Sequence, residues 1–183
     1  MIAKSLQASF EFAVNEAAQR KNEYVTIEHL LFALLHDRDV ANVVRACGGS
    51  VEVLKKQLDE FIEKTYERLE GDEEEAVQPV LTTMLQRVIQ YAQLHAQSAG
   101  RKEVDTGQML AAIYQADQSQ AVYFLREQGV NKLDVLNYLS HGIGKETPAG
   151  EPAFAAPEEE DAPATRDPLK LFAVDLVARA KNG

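Results

Sequence analysis

The stretch Tyr24-Val25-Thr26-Ile27-Glu28-His29-Leu30-Leu31-Phe32-Ala33-Leu34-Leu35 decides the fold, because its pattern returns 79 positions later. The echo reads Glu103-Val104-Asp105-Thr106-Gly107-Gln108-Met109-Leu110-Ala111-Ala112-Ile113-Tyr114. The same offset lays Leu6 on Leu85, Ala13 on Ala92, Ala17 on Ala96, Val25 on Val104, Leu31 on Leu110 and Ala33 on Ala112. Small residues recur where helices must approach closely, and large apolar residues recur where a core must be filled. The period predicts a duplicated helical unit whose two copies bury one another.

Helical spacing dominates both copies. Leu6, Phe10, Ala13, Val14 and Ala17 form one stripe at three- and four-residue intervals. Thr26 is placed to cap a second helix, with Glu28 in its first turn, where a negative charge meets the positive helix end. A short helix is expected near Val40–Ala46, ending at Gly48-Gly49, and Ser50 caps a fourth. The second copy predicts helices over Thr83–Ser98, from Asp105 or Thr106, over Ser119–Gln128, and from Asn131 with Asp134 reaching back to the cap. No stretch alternates apolar with polar residues, so no sheet is expected.

Charge divides the chain further. The net charge is −10, and Gly144–Pro168 carries seven acidic residues against two basic, half of that total. Five of the six prolines fall between 148 and 168. Such a segment reads as a flexible acidic linker over 143–166. After it, Asp167 and Pro168 open an apolar stripe of Leu169, Phe172, Ala173 and Leu176, read as a lone helix beginning a further module over 167–183. The expected fold is all-α: repeat one over about 1–65, a loop over 66–80 and repeat two over about 81–142. An acidic chain repels phosphate backbones and anionic membranes, so neither is an expected partner. A single cysteine, Cys47, excludes an internal disulfide, and no secretory leader is visible, so a cytoplasmic protein is expected.

Catalytic motifs are weak. Gly142-Ile143-Gly144-Lys145-Glu146-Thr147 imitates a phosphate loop, but Glu146 follows the lysine and Leu139 stands where an earlier glycine is needed. Glu28-His29 lacks a second histidine at metal-ligand spacing, so His29 reads as a packing or hydrogen-bonding residue and no metal is assigned. Cys47 reads as a small buried side chain. The reading is a non-enzymatic recognition module without a cofactor, with Val77, Val80 and Met84 as exposed apolar candidates.

Tyr24–Leu35 also resembles the signature of the Clp amino-terminal repeat, which stands in tandem at the start of the Clp unfoldases. Ser98–Val104, Gln118–Arg126 and Leu133–Gly142 are similar to the ClpA branch in particular, and Asp167–Gly183 resembles the helix leading into its first AAA+ module. The resemblance implies a mobile docking domain of a hexameric unfoldase that feeds the peptidase ClpP, with ATP and magnesium bound only in modules outside this chain. It implies binding of the adaptor ClpS and of protein substrates by a monomeric domain. The Q-P-x-L pattern matches Gln78, Pro79 and Leu81, and Q-R-V matches Gln86, Arg87 and Val88, with two extra residues within Thr82–Leu85. The implied adaptor surface is Glu23, Glu28, Gln78, Pro79, Thr82, Thr83 and Arg87. In the ClpC branch the glutamate of each repeat helps hold phosphorylated arginine; here Glu28 fits the first position, while Gly107-Gln108 replaces the second pair. A free-standing Clp-repeat adaptor and a direct binder of unfolded or phosphorylated peptides are the alternatives.

Overall fold

The computed structural model describes residues 1–68 and 78–144. The expectations for the acidic inter-repeat run, the linker beyond Gly144 and the closing helix lie outside those residues. Eight helices occur among the described residues: α1 Lys4–Gln19, α2 Ile27–Leu34, α3 Arg38–Ala46, α4 Val51–Thr65, α5 Thr83–Ser98, α6 Thr106–Ile113, α7 Gln120–Glu127 and α8 Lys132–His141.

The all-α expectation holds with one correction. Tyr24–Val25 (β1) and Val80–Leu81 (β2) form a two-residue parallel ladder, and Ile2 bridges Val104. Two residues are too few to show an alternating pattern, so this pairing leaves no signal in local sequence. The two contacts are one contact made twice: 25 + 79 = 104 and 2 + 79 = 81. Thr82 N–H donates to the Val25 carbonyl at 3.1 Å, and Ala3 N–H donates to the Val104 carbonyl at 3.0 Å. Each repeat therefore pairs its entry segment with the strand of the other.

The duplicated pattern reappears as packing. Ala13 and Ala17 let α1 lie close on α2, and Ala92 and Ala96 do the same for α5 on α6. α2 and α6 meet across the seam. Both are buried on nearly every face, which explains their continuous apolar runs in place of a stripe. Leu30, Leu31, Leu34, Leu110 and Ile113 are all 0% exposed, and one hydrophobic cluster joins residues of both repeats. Each such side chain contributes roughly 1.5–3 kcal/mol by leaving water.

Helix ends follow the sequence where a single residue carries the signal. Asp37, Ser50, Thr82, Asp105 and Ser119 accept backbone N–H bonds at their caps. Asn131 departs from expectation: its amide donates to the Asp134 carboxylate at 3.3 Å, and its side chain does not cap α8. The turn after α1 is left-handed at Lys21 (φ 56°), where the second repeat has Gly100 (φ 69°). Glycine accepts that conformation without a Cβ clash, whereas lysine does not.

The first turn of α2 is a buried polar knot. The Thr26 backbone N–H donates to His29 Nδ1 at 3.3 Å, and His29 Nε2 lies 3.1 Å from the Asn22 side-chain oxygen. Glu28, 6% exposed, reaches across the seam: it accepts from Ala121 N–H in the first turn of α7 at 3.3 Å and from the Tyr66 hydroxyl at 2.9 Å. In the other direction Thr106 Oγ1, in α6, donates to Asp37, the cap of α3, at 3.1 Å. Each central helix thus contacts the amino end of a helix in the opposite repeat.

Glu28→Ala leaves the buried Ala121 N–H and the half-buried Tyr66 hydroxyl without the acceptor they share. The expected loss is about 2–3 kcal/mol of unfolding free energy in urea titration; unchanged stability would remove Glu28 from the seam. Burial pushes the His29 pKa down to about 4, with the Arg20 charge adding to the fall and Glu28 opposing it. The unfolded chain protonates near the ordinary value of about 6.5, so it binds more protons between pH 6.5 and 4. Stability should therefore fall as pH drops through that window, by up to about 3 kcal/mol. His29→Gln installs the residue that the second repeat uses at the same place, and should flatten this part of a pH–stability curve.

Candidate functional site

The β1–β2 ladder gathers residues distant in sequence onto one face. Val80 N–H donates to the Glu23 carbonyl at 3.0 Å, so Glu23 and Tyr24 lie beside the segment from Gln78 to Leu81. Val25 points inward at 0% exposure while Tyr24, the register partner of Val80, stays outside. Thr82 then turns the chain into α5. Its hydroxyl accepts from Leu85 N–H at 3.3 Å, and the Gln86 side chain donates to the Leu81 carbonyl at 3.1 Å. Thr83 and Arg87, four residues apart on α5, share a helix face and are exposed. Arg87 has no ion-pair partner among the described residues.

Tyr24 (47% exposed), Val80 (58%) and Met84 (45%) form an apolar centre. Glu23, Gln78 and Arg87 surround it with exposed polar groups. An apolar centre inside a polar rim is the composition of a protein-binding patch. A groove opens beside it between β1 and the end of α4, lined among others by Asn22, Tyr24, Tyr66, Arg68 and Thr82. Burial first, and the Glu28 charge second, push the Tyr66 pKa up, so its hydroxyl remains a donor to Glu28.

Six of the seven sequence-derived site residues therefore come together: Glu23, Gln78, Pro79, Thr82, Thr83 and Arg87. Thr82 contributes with its hydroxyl already engaged as a helix cap. Glu28 does not share that exposed face. It is buried and bonded to Tyr66 and Ala121, because a carboxylate in the first turn of a wholly buried helix must find its donor partners inside. Its counterpart Gly107 packs so closely on α8 that a Cβ there would lie 2.6 Å from Leu139 Cδ2. No acidic pair of matched position can form across the two repeats.

Tyr24 escaped the sequence reading, although it is an aromatic residue one place before a buried valine, where strand alternation turns it outward. Of the three apolar candidates, Val80 and Met84 are exposed as expected, and Val77 lies outside the described residues. Gly142, the first residue of the phosphate-loop imitation, is the left-handed cap of α8 (φ 68°), and residues from Lys145 onward are outside the described set. Cys47 is buried at the end of α3. Among the described residues no group of three or more His, Cys, Asp or Glu side chains could hold a metal ion, and no helix is long and apolar enough to cross a membrane.

Comparison with known proteins agrees with this architecture. The "ClpA homolog protein" of Fuscovulum blasticum is 37% identical over 193 residues, covering 99% of this chain and 24% of that protein; the chain thus spans about a quarter of its relative. The N-domain of ClpV from Vibrio cholerae superposes with a TM-score of 0.62 at 23% identity, over 80% of this chain and 88% of that one. A ClpV N-domain in complex with a VipB peptide gives 0.61 at 23% identity, over 80% of this chain and 90% of that one. The amino-terminal domain of Hsp104 from Candida albicans gives 0.65 at 13% identity, over 78% and 93% of the two chains. At these identities the solved structures speak for the fold alone. The family model for the Clp repeat amino-terminal domain matches residues 1–128, and the chain belongs to that family.

Proposed function

We propose that this chain is the substrate- and adaptor-docking domain of a ClpA-type AAA+ unfoldase, and that the face built by β1, β2 and the start of α5 binds the adaptor ClpS. The observation that carries this reading is the exposed apolar centre of Tyr24, Val80 and Met84, ringed by Glu23, Gln78 and Arg87. It lies where the Q-P-x-L and Q-R-V patterns fall in the chain.

The work of such a domain is capture. A tethered module that holds an adaptor keeps cargo near the unfolding machinery, which replaces a bimolecular encounter by a local one. In this reading the domain itself is no enzyme. ATP and magnesium belong to modules outside the chain, degradation belongs to ClpP, and the setting is cytoplasmic. The peptide bound to the ClpV N-domain favours a second reading, direct binding of a substrate peptide, because it involves a domain of the same fold.

Titration with purified ClpS tests the main reading. Arg87→Ala should weaken binding roughly 5- to 30-fold, the equivalent of about 1–2 kcal/mol, with unfolding unchanged because Arg87 is exposed. Val80→Asp, which places a charge in the apolar centre, should weaken it more. Affinities equal to the parent chain in both variants would remove this face from adaptor binding.

A further inference from the structure

The two repeats differ sharply at one equivalent place, and the difference opens a cavity. In the first repeat the space between α1, α2 and α4 is filled. Phe32, Phe12 and His36 form a triangle of rings, Phe32 lying 6.3 Å from Phe12 and 5.0 Å edge-on from His36, which are 4.7 Å from each other, and Arg20 lies 5.7 Å above the Phe32 ring. Glu16, Asp59 and Glu63 fix that guanidinium at 3.1, 2.5 and 3.0 Å. Adding 79 replaces Phe12, Arg20, Phe32 and His36 by Tyr91, Ala99, Ala111 and Gln115. The ring and the cation are both lost. What remains between α5, α6 and α8 is a cavity of about 250 Å³ whose walls include Tyr91, Ala99, Ala111, Leu136 and Leu139.

The charges at its mouth are also reversed. Glu16 is replaced by His95 at the same offset. The caps Ser50 and Asn131 set an offset of 81 for the last helix of each repeat, which replaces Asp59 by Ser140 and Glu63 by Gly144. The three carboxylates of the filled groove have no acidic successor. Arg101, Lys132 and His95 line the open one, with Asp105 as its acid, 3.7 Å from Arg101. Lys132 has no ion-pair partner among the described residues. In a chain of net charge −10 this is a locally basic mouth over an apolar floor.

We infer that this cavity is a second peptide site, which takes one aromatic side chain of a partner polypeptide with an adjacent carboxylate held by Lys132 and Arg101. The phenyl group would occupy the space that Phe32 fills in the other repeat. The volume lies below the ~300–1,000 Å³ usual for small-molecule sites, which suits one inserted side chain and not a cofactor. The site shares α5 with the proposed adaptor face, and Tyr91 stands one turn beyond Arg87. It stands independently of that proposal.

The test is an amide chemical-shift titration of the full chain with the hexapeptide acetyl-Gly-Ser-Phe-Asp-Ser-Gly-amide. The expected result is shifts concentrated at Ala111, Ala112, Leu136 and Leu139, with affinity at least tenfold weaker when the peptide Phe is replaced by Ala or its Asp by Asn. Ala111→Phe returns the plug of the first repeat and should abolish binding. Lys132→Glu, at the exposed mouth, should weaken binding at least fivefold with the unfolding curve unchanged, and reads out the site even if Ala111→Phe fails to fold. ClpS affinity should be the same in both variants, which separates this site from the adaptor face. Absence of shifts at millimolar peptide, shifts centred elsewhere, or peptide binding by Lys132→Glu equal to the parent chain would overturn the inference.

Discussion

The fold depends on a reciprocal exchange of backbone hydrogen bonds. The Val25 carbonyl accepts from Thr82 and the Val104 carbonyl from Ala3, so the segment that opens each repeat is satisfied only by the other. Buried amides must find partners, and these four residues fix where α1 and α5 begin. The starting points then set the phase of both helices, which brings Ala13, Ala17, Ala92 and Ala96 inward and leaves Arg87 and Tyr91 outward. The candidate docking face exists because the ladder carries Gln78–Leu81 to the side of Glu23 and Tyr24.

Around this shared frame the repeats have diverged by position. Where one has Glu28 reaching across the seam, the other has Gly107 under Leu139. Where one seals the turn of its second helix with His29, the other uses Gln108, which accepts from the Asp105 backbone N–H. Where one carries an aromatic plug and a cation, the other has two alanines. The backbone tolerates these changes because helix packing needs small residues only at the close approaches. Those positions are the ones that both copies keep.

The helices were legible because each carries its own signal. The four-residue apolar rhythm marks α1 and gives α5 its observed span Thr83–Ser98, and the capping Ser50 places the start of α4. The ladder was illegible because its partners are remote and two residues long. Glu28 shows the limit for sites. From sequence it is an acidic residue in a first turn, equally suited to solvent, a ligand or a helix end, and only the approach of Ala121 and Tyr66 decides. The cavity in the second repeat had a trace in the sequence, since Phe32 against Ala111 at equal register is a lost ring. Reading it required knowing that the space behind Ala111 is not refilled from α8.

The exchanged entry segments have a consequence for how such a domain can arise. One copy alone would present Val25 and its own opening residues to solvent, with amides unpaired and the apolar side of its central helix uncovered. Two separate identical chains, related by a twofold axis, could meet every one of those needs, since the bonds are the same pair drawn twice. Joining them end to end turns association that depends on concentration into a permanent condition. It also frees the halves to drift apart in sequence, one keeping its interior stoppered and the other leaving a vacancy for an outside guest.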